Sequence, residues 1–328
     1  MTLADPQKKS DLCEYFIFCT DIQGQTDILK EFSVEWYNVS PEANVSPPEL
    51  TEKIKKTIGT VIPIAEFFED FISGLSVSQN DCVEKDVYEL AGLICNRPPQ
   101  DVLPSYDNLK ILKNSFLKPT LKFEQFSDTF LLFCRSSTPE CFYNPIGLWY
   151  ILLQACAVQI ATLAAKISMR GAICFGPAME IGKKSEHLYG PVLVEAKEIE
   201  NKHQGQPSGY PRIFFSERVL KFIEEELWLE QVKADKDLSR CLSEVNLKDF
   251  IYKDDNDDYM LDFLGEAFRR ALMTISGDLL DTVTGLIPNA YAFVESEIEK
   301  HKNPSRLHSR YSFLLEYMNS RIGVWKRK

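Results

Sequence analysis

No block of lysine and arginine occurs anywhere in this chain of 328 residues, and acidic residues outnumber basic ones by 48 to 37, for a formal charge of −11. That balance excludes nucleic-acid or anionic-membrane binding through bulk charge, although an anionic small ligand needs only a few local cations. Paired cysteines are missing too. The nine cysteines are an odd count, none has CxxC spacing, and several sit in apolar runs, as Cys134 and Cys174 do. They read as buried free thiols of a reducing, cytoplasmic compartment. The first residues have no apolar signal-peptide core. No G-x-S-x-G elbow supports a serine nucleophile, no repeat of 20–50 residues marks a solenoid, and no linker is long enough to separate domains. Asp254 to Asp258 begins like a calcium loop, but Tyr259 stands at the obligatory glycine position and Gly265 at the bidentate glutamate position, which excludes it. His301 and His308 have no cysteine or acidic ligand pattern around them, and Glu224 to Glu226 read as a solvated helix face.

Charge is absent altogether from Cys141 to Ala165, a stretch that meets the length of about 20 residues needed to span a bilayer. Pro145 and Gly147 delay the helix start, however. Gln154, Gln159, Thr162 and Lys166 then fall within an arc of roughly 140° at about 100° per residue, leaving a broad apolar face opposite. The expectation is a helix lying on a sheet or at a subunit interface, not a membrane span.

What is present is a mixed α/β pattern: 45% hydrophobic and 26% charged residues, ordinary for a globular protein and incompatible with global disorder. Tyr15 to Thr20 is a short apolar run ending at Asp21 and the Gly24-Gln25-Thr26 turn, which reads as strand, tight turn, helix. Residues 116–126 and 128–133 read as a hairpin with a polar tip at Ser127-Asp128. Arg170 to Gly176 is a strand, followed by a turn-rich segment through Lys184. Gly190-Pro191 opens a helix to Glu200, Arg212 to Ser216 is a strand, and Val219 to Gln231 is helical. Residues 250–252 and 259–261 form a second hairpin, and two helices, about 265–300 and 303–320, close the chain. The predicted fold is α+β: one domain over 1–328, with a largely antiparallel sheet and helices on one face of it. Its core spans 13–36 and 116–220, with a helical insertion at 48–115 and a C-terminal hairpin and helices over 230–328.

Two carboxylates stand out, Asp21 at a strand end and Asp128 at a hairpin tip. Two carboxylates and a backbone carbonyl suit Mg²⁺ or Mn²⁺ bridged to substrate phosphates, while a Gly-containing turn before a helix aims N–H groups at an anion. Taken alone, a strand-end aspartate is more often a turn or capping residue. Four motifs in order change that balance. Phe18-x-x-Asp21-Ile22-x-Gly24, Phe126-Ser127-Asp128, Arg170-Gly171-x-x-x-x-Gly176 and Gly190-Pro191-x-x-x-Glu195-Ala196-x-Glu198-x-Glu200 precede Pro211-Arg212-Ile213. Over residues 13 to about 220 this resembles the class III nucleotidyl cyclase domain, and within it the bacterial pyrimidine cyclases of the Pycsar antiphage system.

The resemblance implies a homodimer with active sites at its interface. In each site Asp21, Asp128 and the Ile22 carbonyl hold two Mn²⁺ or Mg²⁺ ions, and Gly24, Gln25 and Thr26 cradle the triphosphate. UTP, in preference to CTP, is converted to a 3′,5′-cyclic nucleotide and pyrophosphate, and the product activates a separate effector in antiphage defence. The pattern departs from ordinary class III cyclases on one helix. Val194 and Glu198 occupy the positions of its asparagine and transition-state arginine. Either the activity is lost or another cation substitutes, and Arg170, Arg212 and Lys183, with Lys184, are the candidates. Glu124 and His187 occupy the base-reading positions. The competing readings are a catalytically inert cyclase-like nucleotide-binding or assembly module, and an adenylate or guanylate cyclase, which Val194 and Glu198 disfavour.

Overall fold

The computed structural model describes residues 12–22, 52, 59–70, 121–137, 145–182, 187–202, 211–225, 247–255, 257–275, 277–301 and 305–326. Of the expected helical insertion, residues 59–70 fall within this set and are helical. The Gly24-Gln25-Thr26 turn, Lys183 and Lys184 lie outside the described residues.

Alternation builds the centre of the sheet. In β1 (Cys13–Ile22), Phe16 and Phe18 face one way, while Tyr15, Ile17 and Cys19 face the other. Both sets are buried, so the strand is apolar throughout, as expected of one covered on both faces. A hairpin of β2 (Lys122–Phe126) and β3 (Thr129–Arg135) pairs antiparallel with β1, Cys19 lying opposite Leu131 and Asp21 opposite Thr129. Its tip is Ser127-Asp128, as the sequence predicts, with Ser127 in the left-handed region at φ 59. β4 (Met169–Ile181) pairs on the other side of β1. The strand order is β2-β3-β1-β4-β6-β8-β7, antiparallel except for the parallel pair of β4 with β6 (Ile213–Phe215). The connections β1–helix–β2 and β3–helix–β4 each straddle an intervening strand, so the first four strands form two interlocked split β-α-β units. β7 (Ile251–Lys253) and β8 (Tyr259–Leu261) extend this sheet as the expected second hairpin.

The helix α1 (Pro145–Ala164) lies on the Phe16/Phe18 face beside residues 59–70. Here the sequence reading needs correcting. Gln154, Gln159 and Thr162 form no solvated arc, because all three are buried: Gln154 donates to Phe68 O at 3.3 Å, Gln159 donates to Pro211 O at 3.1 Å, and Thr162 donates to Val158 O at 2.9 Å. Polar side chains are tolerated inside when each finds a partner. Among the described residues α1 holds the one stretch long and apolar enough to cross a membrane, Gly147–Ala164, and 89% of it is buried inside the protein. The expected helix over 265–300 is two helices, α4 (Glu266–Ile275) and α5 (Gly277–Lys300). These pack on the same face with α3 (Glu217–Glu224) and the final helix, α6 (Arg306–Trp325).

The opposite face is covered differently, and helices are not confined to one face. α2 (Pro191–Lys202) packs Val192 and Ala196 on Tyr15, Ile17, Cys19 and Cys174. The segment expected to be turn-rich after Gly176 is instead strand. β4 continues to Ile181 and pairs with β5 (His187–Tyr189). Its Glu180 reaches Lys122 at 2.6 Å, Arg135 at 3.3 Å and the Tyr15 hydroxyl at 3.1 Å, so this arm folds over β1, β2 and β3. Gly190 is required where the arm enters α2, because a Cβ there would lie 2.6 Å from Ala178 Cα.

Candidate active site at the end of β1

Strand register decides which side chains share a surface. Asp21 follows Cys19 by two residues and so faces α2, and Arg170, paired with Asp21 across β4, faces the same way. Glu124 lies in the row of Leu131 and Cys19, also on this face. From a strand spacing near 4.8 Å and about 3.4 Å per residue, Glu124 sits roughly 12 Å from Asp21, two strands across and two residues along.

Asp21 is 8% exposed. Asp128 joins it through the hairpin tip, where Ile22 N donates to Asp128 O at 3.2 Å. Asp21 Oδ1 and Asp128 Oδ2 are both buried without a donor among the described residues. Burial pushes the Asp21 carboxyl above its ordinary value, and the neighbouring Glu200 adds to this against the opposing pull of Lys197. Burial raises Asp128 as well, followed by the negative charge of Asp21 itself. Two carboxylates that repel one another, each with one buried oxygen unpartnered, form a site that favours added positive charge. Among the described residues no group of three or more His, Cys, Asp or Glu converges on a metal geometry. The two aspartates and a backbone oxygen are the donors that a hard divalent ion would find here. The unpartnered oxygens fit that role.

The predicted cations separate cleanly. Arg170 is at the site, its Nε donating to Glu200 Oε1 at 2.9 Å. Arg212 is not. It is fully buried, bound to Asp254 at 2.5 Å and Asp258 at 3.1 Å, with its guanidinium 4.2 Å over the Phe214 ring. The acidic turn of the second hairpin holds an arginine, where the sequence suggested a catalytic candidate. The two residues expected to read the base do come together. His187 Nδ1 lies 2.9 Å from Glu124 Oε1, Leu188 N donates to Glu124 Oε2 at 3.4 Å, and Phe126 flanks the imidazole at 6.3 Å between ring centroids. Burial raises the Glu124 pKa, with Leu188 N–H and His187 opposing.

Sequence reading missed Lys197 and Glu200. Lys197 Nζ donates to Glu200 Oε2 at 2.9 Å and to Asp21 Oδ2 at 3.4 Å. Burial pulls the ammonium pKa down, but Glu200 and Asp21 outweigh it and hold it above its ordinary value. A signal was available: Val192, Ala196 and Glu200 recur at four-residue spacing, so Glu200 is a charge on the buried stripe of α2. The final helix reaches the same end of β4, where Tyr311 and Ser168 hydroxyls meet at 2.5 Å. After burial itself, Arg306 and Arg170 repel Arg310 and hold its pKa below the ordinary range. No protein-family model, curated protein or solved structure matches this chain.

Proposed function

We propose that this protein is a metal-dependent pyrimidine nucleotide cyclase, acting on UTP in preference to CTP and working as a homodimer. One observation carries the reading: Asp21 and Asp128 each bury one carboxylate oxygen without a donor, and the charge of Asp21 acts on Asp128. An uncompensated buried carboxylate costs several kcal/mol, which protonation or bound positive charge offsets, and a divalent ion supplies the latter at neutral pH. Asp21, Asp128 and the Ile22 carbonyl are the ligands for two Mn²⁺ or Mg²⁺ ions. Such ions lower the pKa of a ribose 3′-hydroxyl and neutralise charge developing on the phosphates.

The residues of the chain then orient the reaction. The O3′–Pα bond forms as the bond from Pα to the bridging oxygen of the β-phosphate breaks. Pyrophosphate leaves with the electron pair, and the hydroxyl proton passes to solvent. Glu124, roughly 12 Å from Asp21 and with His187 beside it, lies at the reach of a nucleoside from its triphosphate. Glu124 accepts the uracil N3–H, and His187 completes the edge. Exposed Phe126, Ile181, Tyr189 and Val194 on this side of the molecule support self-association. The product acts through a separate effector.

The inert-module reading draws its support from Lys197, which already neutralises part of Asp21. Incubation with each of the four nucleoside triphosphates and Mn²⁺, followed by chromatography, separates the two. A cyclic pyrimidine product that disappears in Asp21→Ala and Asp128→Ala is the expected result. No product from any nucleotide by a folded dimer favours the inert module, and a cyclic purine assigns a different base.

A further inference from the structure

Resting on the cyclase reading, we propose that Lys197 supplies the phosphate-binding positive charge that Glu198 does not, and that in the metal-free protein it is parked on a metal ligand. Asp21 Oδ2 takes its 3.4 Å contact from Lys197, and among the described residues no other cation touches that carboxylate. Glu200 holds the ammonium closer, at 2.9 Å, and its side chain is 1% exposed. The same Glu200 binds Arg170 at 2.9 Å, so one buried carboxylate fixes two cations beside Asp21. Lys197 is half-exposed and sits on a flexible four-carbon stem, so it can leave Asp21 while remaining on Glu200.

A divalent ion on Asp21 Oδ1 and an ammonium on Oδ2 compete for the charge of one carboxylate. When the ion takes Asp21, Lys197 gives up that contact, and the charge it carries lies one residue from the helix position where the transition-state arginine of class III cyclases stands. Its partner in the loaded site is a non-bridging phosphate oxygen of the nucleotide. Glu200 is a positioning residue and touches no substrate.

The test compares wild type with Lys197→Gln and Lys197→Arg, with folding of each checked by circular dichroism and thermal melting. Mn²⁺ binding is measured without nucleotide by electron paramagnetic resonance. Lys197→Gln should bind Mn²⁺ about tenfold more tightly, because the competing charge is gone. Its cyclisation rate at saturating Mn²⁺ should fall about 10²- to 10³-fold, and Lys197→Arg should recover part of that loss. Unchanged or weaker Mn²⁺ binding in Lys197→Gln overturns the parked-lysine assignment, and an unchanged turnover overturns the phosphate role. If wild type itself cyclises no nucleotide, the cyclase reading fails. The Mn²⁺ comparison still decides whether Lys197 occupies the ligand.

Discussion

Asp21 and Asp262 are equally buried, at 8% and 6% exposure, and both stand at the end of a strand in one sheet. Their surroundings are opposite. Asp262 follows β8 and accepts from the Tyr317 hydroxyl at 2.8 Å and from Arg321 Nε at 2.9 Å, while Tyr317 in turn accepts from Leu264 N at 2.9 Å. Asp21 has one long contact from a half-exposed lysine and one buried oxygen with no donor. The first aspartate completes a closed network that ties the final helix to the sheet. The second is left open beside another open carboxylate. Burial alone marks neither as functional, and what separates them is whether folding supplies the donors.

Replacing each aspartate tests that contrast most directly. Asp21→Asn should lower turnover by roughly 10³-fold or more, since the lost ligand removes several kcal/mol of transition-state stabilisation. Its melting temperature should not fall, because a repelled buried charge goes with it. Retained activity, or a melting temperature that drops sharply, would break the comparison. Asp262→Ala should do the reverse. It strands the buried Tyr317 hydroxyl and the partly exposed Arg321, for a loss of about 2–3 kcal/mol in urea unfolding, with activity per folded molecule unchanged.

Acid titration sharpens it further. Asp21 and Asp128 are raised by burial in the folded chain, so between the ordinary value of 3.8 and their raised values the folded state holds more protons than the unfolded one. Stability in the absence of divalent ions should therefore fall as pH rises through this window. Asp21→Asn should flatten that slope, and a slope identical to wild type would show that the carboxyl is not raised. The smallest effect belongs to the hairpin tip. Ser127→Gly relieves a left-handed serine and should stabilise by no more than about 1 kcal/mol, measured by thermal melting.

Local signals made much of this legible. The run from Tyr15 to Thr20, the polar tip at Ser127-Asp128 and the Gly190-Pro191 helix start are each set by neighbours within a few residues, and each appears where the sequence places it. Distant partners were not legible. Arg212 meets Asp254 and Asp258 across more than 40 residues of chain, so a buried structural arginine looks the same in sequence as a catalytic one. Gln154 and Gln159 read as solvated because their acceptors, Phe68 O and Pro211 O, come from other elements. Lys197 was hidden by its neighbours: a helix reading Lys-Glu-Ile-Glu looks like an ordinary wet surface until β1 is placed against it.

The burial of α1 also has a consequence for how the chain is made. One side of this uncharged helix rests on the sheet, and the other is covered by α5, which ends 136 residues later. At about 5–20 residues per second, the ribosome adds those residues on the order of 10 s after the helix is complete. Throughout that interval the nascent chain carries an apolar helix of bilayer-spanning length with its outer side uncovered. Exposed apolar surface of that kind favours aggregation, so a chain truncated before α5 should be less soluble than the full chain, which fractionation of the two products would check.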